Sequence, residues 1–153
     1  MNDRVTVIAI GNEYRRDDGV GRAVLSRLAE VIPPGTRLAY VDGEPSRLID
    51  AWDQSRLAIL LDAAVCEPAQ PGRIHRVTVI NTETAGSTSS HGLGVPEAVE
   101  LARVLHRLPE RLVLLTVEAA DTGYGLGLSP PVEAAVPALV EAVQAELGVG
   151  GPG

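Results

Sequence analysis

The chain has 153 residues, of which 45% are hydrophobic, and this is enough for one domain with a sizeable apolar core. Its formal net charge of -7 argues against nonspecific binding to nucleic acid or to an anionic membrane surface. It contains one cysteine, Cys66, which excludes an intramolecular disulfide and favours the reducing cytoplasm.

The first predicted elements alternate between strand and helix. A short buried strand, Val5 to Ile10, precedes a helix from Asp18 to Val31 whose apolar residues recur at helical spacing. A strand from Leu38 to Val41 and a helix from Pro45 to Trp52 follow. The next strand, Leu57 to Asp62, is apolar up to its last residue, which is typical of the centre of a parallel sheet.

The connection after this third strand predicts a change of direction. Ten residues, Ala63 to Gly72, separate it from a strand at Arg73 to Ile80, and they include Pro68 and Pro71. A parallel crossover needs about a dozen residues or more, usually with a helix. We therefore predict that the fourth strand is antiparallel and lies at an edge of the sheet.

The rest of the chain completes three layers. The loop from Asn81 to Gly94 is long enough to cross the sheet. After it we predict a helix at Val95 to His106, a strand at Leu112 to Val117 and a helix at Pro131 to Leu147. The order predicts a single domain over residues 1–153, folded as a three-layer α/β/α sandwich with a mixed, mostly parallel five-stranded sheet and one antiparallel edge strand. The tail, residues 148–153, is expected to be frayed.

Acidic and imidazole side chains lie just outside three of these elements. Asp17 and Asp18 follow the first strand, Asp62 closes the third, and His91 lies in the long loop. Ligands of open α/β sheets bind beyond the carboxyl ends of the parallel strands, so we expect Asp18, Asp62 and His91 to converge there. Two carboxylates and an imidazole suit a borderline divalent metal.

These residues also have structural interpretations. Asp17 and Asp18 are suitable caps for the helix that they begin, and both roles can hold, with Asp17 capping and Asp18 facing the cleft. For Asp62 the structural interpretation is weaker, because a carboxylate at the end of an aliphatic strand must find a partner, and this placement favours function. His91 also fits an ordinary exposed loop histidine. We expect Cys66 to be a small buried residue rather than a nucleophile.

Other signals for chemistry are weak. The glycines after the first strand match neither the dinucleotide pattern nor a phosphate loop, so we predict no nucleotide cofactor. The sequence has no G-x-S-x-G elbow to support a serine hydrolase. His75, in the predicted edge strand, and His106, near a helix end, are expected to be structural.

Over nearly its full length the chain resembles the nickel–iron hydrogenase maturation proteases, the endopeptidases that trim the precursor of the hydrogenase large subunit. Four motifs in order carry this resemblance: Ile8-Ala9-Ile10-Gly11-Asn12 with Asp17-Asp18-Gly19-Val20-Gly21, Leu60-Leu61-Asp62-Ala63, Ser90-His91-Gly92-Leu93, and Gly127-Leu128-Ser129-Pro130.

The resemblance implies a site and a reaction. The family's metal ligands fall on Asp18, Asp62 and His91, which would also be the catalytic residues. Relatives often carry Glu at the first position, so Asp18 has one methylene less reach. The metal is nickel, presented by the precursor rather than held permanently, and cleavage removes a short C-terminal extension after a basic residue.

The resemblance also implies a partner. We expect a monomeric cytoplasmic enzyme that acts on the large-subunit precursor, with no nucleic-acid or membrane partner. Tyr14, Arg15 and Arg16 stand where many relatives are more apolar, which points to a role in partner choice, whereas Val117 to Asp121 receives no role. The alternatives are a non-catalytic, metal-dependent checkpoint or chaperone on the same precursor, and a small-molecule metal-dependent hydrolase.

Overall fold

One mixed sheet of five strands organises the chain, and the computed structural model describes residues 4–81 and 94–148. The elements are β1 (Val5–Ile10), α1 (Val20–Leu28), β2 (Thr36–Val41), α2 (Pro45–Trp52), β3 (Leu57–Ala64), β4 (Ile74–Asn81), α3 (Val95–Leu105), β5 (Arg111–Glu118) and α4 (Pro130–Glu146). A short 3-10 helix, Arg16–Gly19, precedes α1.

The strands lie in the order β2-β1-β3-β5-β4. β1 pairs in parallel with β2 and β3, and β3 pairs in parallel with β5. β4 is antiparallel to β5 at the edge of the sheet. The antiparallel edge strand predicted from the short connection after β3 is therefore confirmed, as is the central position of β3.

Alternate side chains of the strands build two separate apolar clusters. Along β3, Ile59 and Leu61 pack with α1 and α4 on one face of the sheet. Ala58 and Leu60 pack with α2 and α3 on the other face. Because helices cover both faces, the predicted three-layer α/β/α architecture is confirmed, and the apolar run of β3 is explained by burial on both sides.

The first helix differs from its prediction. Instead of one helix from Asp18 to Val31, a 3-10 helix precedes α1, which ends at Leu28. Two backbone hydrogen bonds, from Arg16 N to Gly125 O and from Asp17 N to Asp121 O, each 3.0 Å long, tie this turn to a distant loop. The 3-10 geometry follows from these tertiary bonds, which local sequence spacing does not reveal.

No helix within residues 4–81 and 94–148 is long and apolar enough to cross a membrane. The predicted crossing loop falls on residues 82–93, and most of the predicted frayed tail on residues 149–153, and both lie outside the described residues.

Candidate functional site

A cleft of about 820 Å³ opens at the carboxyl ends of β1 and β3. Its walls come from the turn after β1, the 3-10 helix, the end of β3, the start of α3 and the loop after β5. The charged and titratable side chains that line it are Arg15, Asp18, Asp42, Asp62, Cys66 and Glu97. Asp18 and Asp62 are 44 residues apart in the chain, and the structure brings them into one cavity at the carboxyl ends of the parallel strands, as predicted.

Asp62 is the most perturbed of these acids. It lies on β3 opposite Thr116 of β5, its residue is 7% exposed, and its Oδ1 accepts a 2.8 Å hydrogen bond from Ala63 N. Burial, and after it the negative charge of Asp18, raise the pKa of Asp62 to about 7. A carboxyl group with this pKa exchanges its proton near neutral pH, which is what acid–base chemistry requires.

Asp18 is held by the turn after β1. Its Oδ2 accepts a 2.8 Å hydrogen bond from Asn12 N, and burial raises its pKa above the ordinary value. Gly11 makes this approach possible, because a Cβ there would lie 2.0 Å from the carbonyl oxygen of Asp18 and its φ is +148°. The Gly11-Asn12 pair therefore shapes the site rather than forming only a turn.

Asp17 does not cap the helix that follows it, so that prediction is wrong. The N-cap residue of α1 is Gly19, and no side chain caps either helix. The fully buried Asp17 carboxylate accepts hydrogen bonds from Ala120 N (2.8 Å), Asp121 N (3.0 Å), and Ser129 N and Oγ (2.7 and 2.8 Å). Burial alone would raise its pKa, but these bonds outweigh burial and lower it.

The third predicted site residue, His91, lies outside the described residues. Within residues 4–81 and 94–148, no three His, Cys, Asp or Glu side chains are grouped so that they could hold a metal ion. Gly94, three residues after His91, lines the same cleft as Asp18 and Asp62. The convergence of all three residues therefore stays a prediction.

A buried acid that sequence reasoning passed over supports the wall of the cleft. Glu118 accepts hydrogen bonds from Gln70 N (2.7 Å) and from His75 Nε2 (2.6 Å). These contacts lower its pKa and anchor the segment that follows β3. His75 thus has a structural partner, as predicted, and Cys66 is half-buried against the cleft rather than buried in the core.

The sequence contains one usable signal for these supporting acids. Glu118 is the last residue of an apolar strand and Asp62 lies near the end of another, and such carboxylates need partners. The sequence does not identify the loop partners of Asp17 at positions 120 and 121, because these bonds come from backbone N–H groups, which residues of almost any type carry. Its other partner, Ser129, falls in the fourth motif, but the motif alone does not pair it with Asp17.

Comparison with protein families matches residues 26–146 to the family described as hydrogenase maturation protease. The hydrogenase 2 maturation protease of Escherichia coli strain K12 is 25% identical over 148 residues, which cover 94% of this chain and 90% of the relative. The matched family segment includes Asp62 and position 91 and begins after Asp18.

Solved structures show the same fold. The hydrogenase maturating endopeptidase HybD from E. coli has a TM-score of 0.76 at 24% identity, covering 97% of this chain and 94% of that chain. The NiFe hydrogenase maturation protease HybD from Thermococcus kodakarensis has a TM-score of 0.74 at 25% identity, covering 94% and 98%.

The family match and the shared fold define the class of the protein, which is a peptidase of the α/β type. More specifically, the chain belongs to the hydrogenase maturation protease family. The resemblance carried by its four sequence motifs is confirmed, and its activity is that of an endopeptidase in hydrogenase maturation.

Proposed function

We propose that this endopeptidase removes a short C-terminal extension, after a basic residue, from the nickel-loaded precursor of a nickel–iron hydrogenase large subunit. Asp18, Asp62 and His91 are the proposed catalytic residues, and the same three would bind the nickel that the precursor carries. We place the reaction in the cytoplasm and expect the enzyme to act as a monomer, without a nucleic-acid or membrane partner.

The observation that carries this proposal is the pair of carboxylates in one cleft. Asp62 is nearly buried, and the charge of Asp18 contributes to its raised pKa. Two acids that disfavour each other's charge gain from a cation placed between them. The imidazole of His91 is the ligand type in this set that suits nickel, and the two carboxylates would complete a mixed nitrogen and oxygen donor set around it.

His91 is supported as the third ligand by its chain neighbours. Asn81, at the end of β4, pairs with Arg111 at the start of β5. Gly94 lies against Gly43, which follows β2, and lines the cleft. The next described residue after position 91 is thus already at the site, and this supports the proposed role of His91.

The described residues suggest how the reaction is assisted. Asp18, Asp62 and His91 would hold the nickel of the precursor, and this nickel would supply a Lewis acid for the scissile carbonyl or for a bound water. Alternatively, a carboxylate of the cleft would accept the proton of the attacking water as a general base. The N–H groups of Ala63 and Asn12 each donate at 2.8 Å and hold the two carboxylates in fixed orientations before substrate arrives.

The decisive experiment is intact-mass spectrometry of the precursor, incubated with and without nickel and with and without this protein. The expected result is loss of a short C-terminal peptide only when both are present. An unchanged mass with a stable complex would instead indicate a binding function, and trimming without nickel would contradict the proposed metal.

Variants then test the residues. Asp18→Ala, Asp62→Ala and His91→Ala are each expected to abolish trimming while circular dichroism shows an unchanged fold. Glu97→Gln is the matched control, because Glu97 lines the same cleft but is exposed and lies outside the proposed ligand set. Full activity of all three alanine variants would refute the assignment.

A further inference from the structure

Two loops beside the cleft are hydrogen-bonded into one unit. Gly125 N donates to Tyr14 O at 2.9 Å, and Arg16 N donates to Gly125 O at 3.0 Å, so Arg15 and Gly125 form an isolated parallel bridge. Arg15 Nε also donates to Thr122 O at 3.0 Å. Segments 14–16 and 122–126, more than 100 residues apart in the chain, therefore present a common surface.

This surface exposes large apolar side chains. Tyr14 is 63% exposed, Tyr124 88% and Leu126 65%, and we refer to these three residues as the rim. The rim holds two of the three tyrosines in a chain that has only 3% aromatic residues. Single exposed apolar residues are ordinary, but a group of them is typical of an interaction site, and tyrosine is enriched at such sites.

The rim is held in place before any partner binds. The guanidinium of Arg15 lies 5.8 Å from the ring centroid of Tyr124, a cation–π contact. Asp17, through Ala120 N and Asp121 N, anchors the start of the loop that carries Tyr124 and Leu126. A fixed surface loses less conformational entropy on binding than a loose one, which suits it for docking.

The rim is continuous with the cleft. Arg15 and Thr122 line the cavity that holds Asp18 and Asp62. An endopeptidase must receive a segment of a protein in its cleft, so the body of that same protein is brought against the rim. Among the described residues, Arg15 is the one cation that lines the cleft, and the other charged side chains there are acids. The uncharged side chains of the rim offer a different, apolar contact.

We propose that Tyr14, Tyr124 and Leu126 form a docking surface for the large-subunit precursor, outside the segment that is cut, and that they select the partner through apolar contacts. This inference rests on the function proposed above. It assigns affinity for the precursor to the rim and leaves the chemical step to the acids of the cleft.

The test measures trimming rates against precursor concentration for Tyr124→Ser combined with Leu126→Ser. The control combines Leu101→Ser with Val104→Ser, two exposed residues of α3 that lie outside the rim and do not line the cleft. We expect the rim variant to raise KM by about tenfold with kcat unchanged, and the control to match the wild type. Thermal unfolding midpoints equal to the wild type would show that both variants fold.

Binding of the nickel-loaded precursor to the immobilised protein separates the two proposals. Binding without trimming, weakened about tenfold only in the rim variant, would support the docking surface and refute the proposed function. Trimming with an unchanged KM in the rim variant, or with the same loss in the control, would refute the docking surface alone. Neither binding nor trimming by the wild type would refute both.

Discussion

Replacing Asp17 by alanine is expected to destabilise the protein strongly. The buried carboxylate accepts four hydrogen bonds from Ala120, Asp121 and Ser129, and alanine leaves their donors without an acceptor. A buried donor left unpaired costs about 1–3 kcal/mol, and three of these four donors are backbone N–H groups that cannot turn elsewhere. Because Ala120 and Asp121 are exposed residues, their freed N–H groups can gain hydrogen bonds to solvent in part, and we expect a loss of about 3–5 kcal/mol in the free energy of unfolding.

Asparagine at the same position tests whether the shape or the charge of Asp17 matters. Its single carbonyl oxygen can replace Oδ2, which accepts from Ala120 N, Asp121 N and Ser129 Oγ. Its amide group then faces Ser129 N, which donated to Oδ1, and two donors meet. We expect the free energy of unfolding to fall by about 1–3 kcal/mol relative to the wild type, which is less than for the alanine variant.

Urea unfolding followed by the fluorescence of Trp52 measures these losses, because this residue is fully buried and is the only tryptophan in the chain. Asp18→Asn is the matched control, since Asp18 lies on the same 3-10 helix, is half-buried, and accepts one backbone hydrogen bond. Burial already disfavours its charge, so this variant should lose less than about 1 kcal/mol. Equal losses for Asp17→Ala and Asp18→Asn, or a loss below about 1 kcal/mol for Asp17→Ala, would refute the reasoning.

Three further predictions concern stability. Gly11→Ala should lower the free energy of unfolding by about 2 kcal/mol or more, because its Cβ would meet the carbonyl oxygen of Asp18 at 2.0 Å; an unchanged urea midpoint would contradict this. Asp62→Asn should raise the free energy of unfolding at pH 8 by about 1–3 kcal/mol while trimming is lost. The folded-state pKa of Asp62 lies above its ordinary value, so its ionised form opposes folding at that pH, and a less stable variant would refute this. The ionised carboxylate of Glu146 instead stabilises the fold, because hydrogen bonds from Arg76 lower its pKa below 4.5. This stabilisation is present at neutral pH and is lost as the pH falls through the lowered pKa. The urea midpoint should therefore fall less between pH 6 and pH 3 in Glu146→Gln than in the wild type, and parallel profiles would count against the ion pair.

The layered fold could be predicted because it depends on local patterns. Apolar runs identify the strands, and the ten-residue connection from Ala63 to Gly72 is too short for a parallel crossover with a helix. The length of this connection predicts an antiparallel edge strand, which the pairing of β4 with β5 confirms. The meeting of Asp18 and Asp62 in one cleft follows from the same logic, since Asp18 comes after β1 and Asp62 lies near the carboxyl end of β3.

The support of the site could not be predicted in the same way. Asp17 looks like a helix cap because acids near helix starts usually are, yet its partners lie more than 100 residues later in the chain. A sequence does not show which backbone N–H group will donate to a distant carboxylate, whereas it does show an apolar strand. His91 is predicted from its place in the long loop before α3 and from the family resemblance, and its role stays a prediction.

The bonds of Asp17 also set the order in which the protein can be completed. Asp17 and Ser129 are 112 positions apart, so the ribosome releases the acceptor long before its donors. A nascent chain that stops before residue 120 lacks Thr122, which forms part of the cleft wall, and leaves the Asp17 carboxylate without these partners. Closing so long a loop is among the slower events in folding. The hydrogen bonds by which Ser129 holds Asp17 beside the cleft can therefore form only after residue 129 has been synthesised.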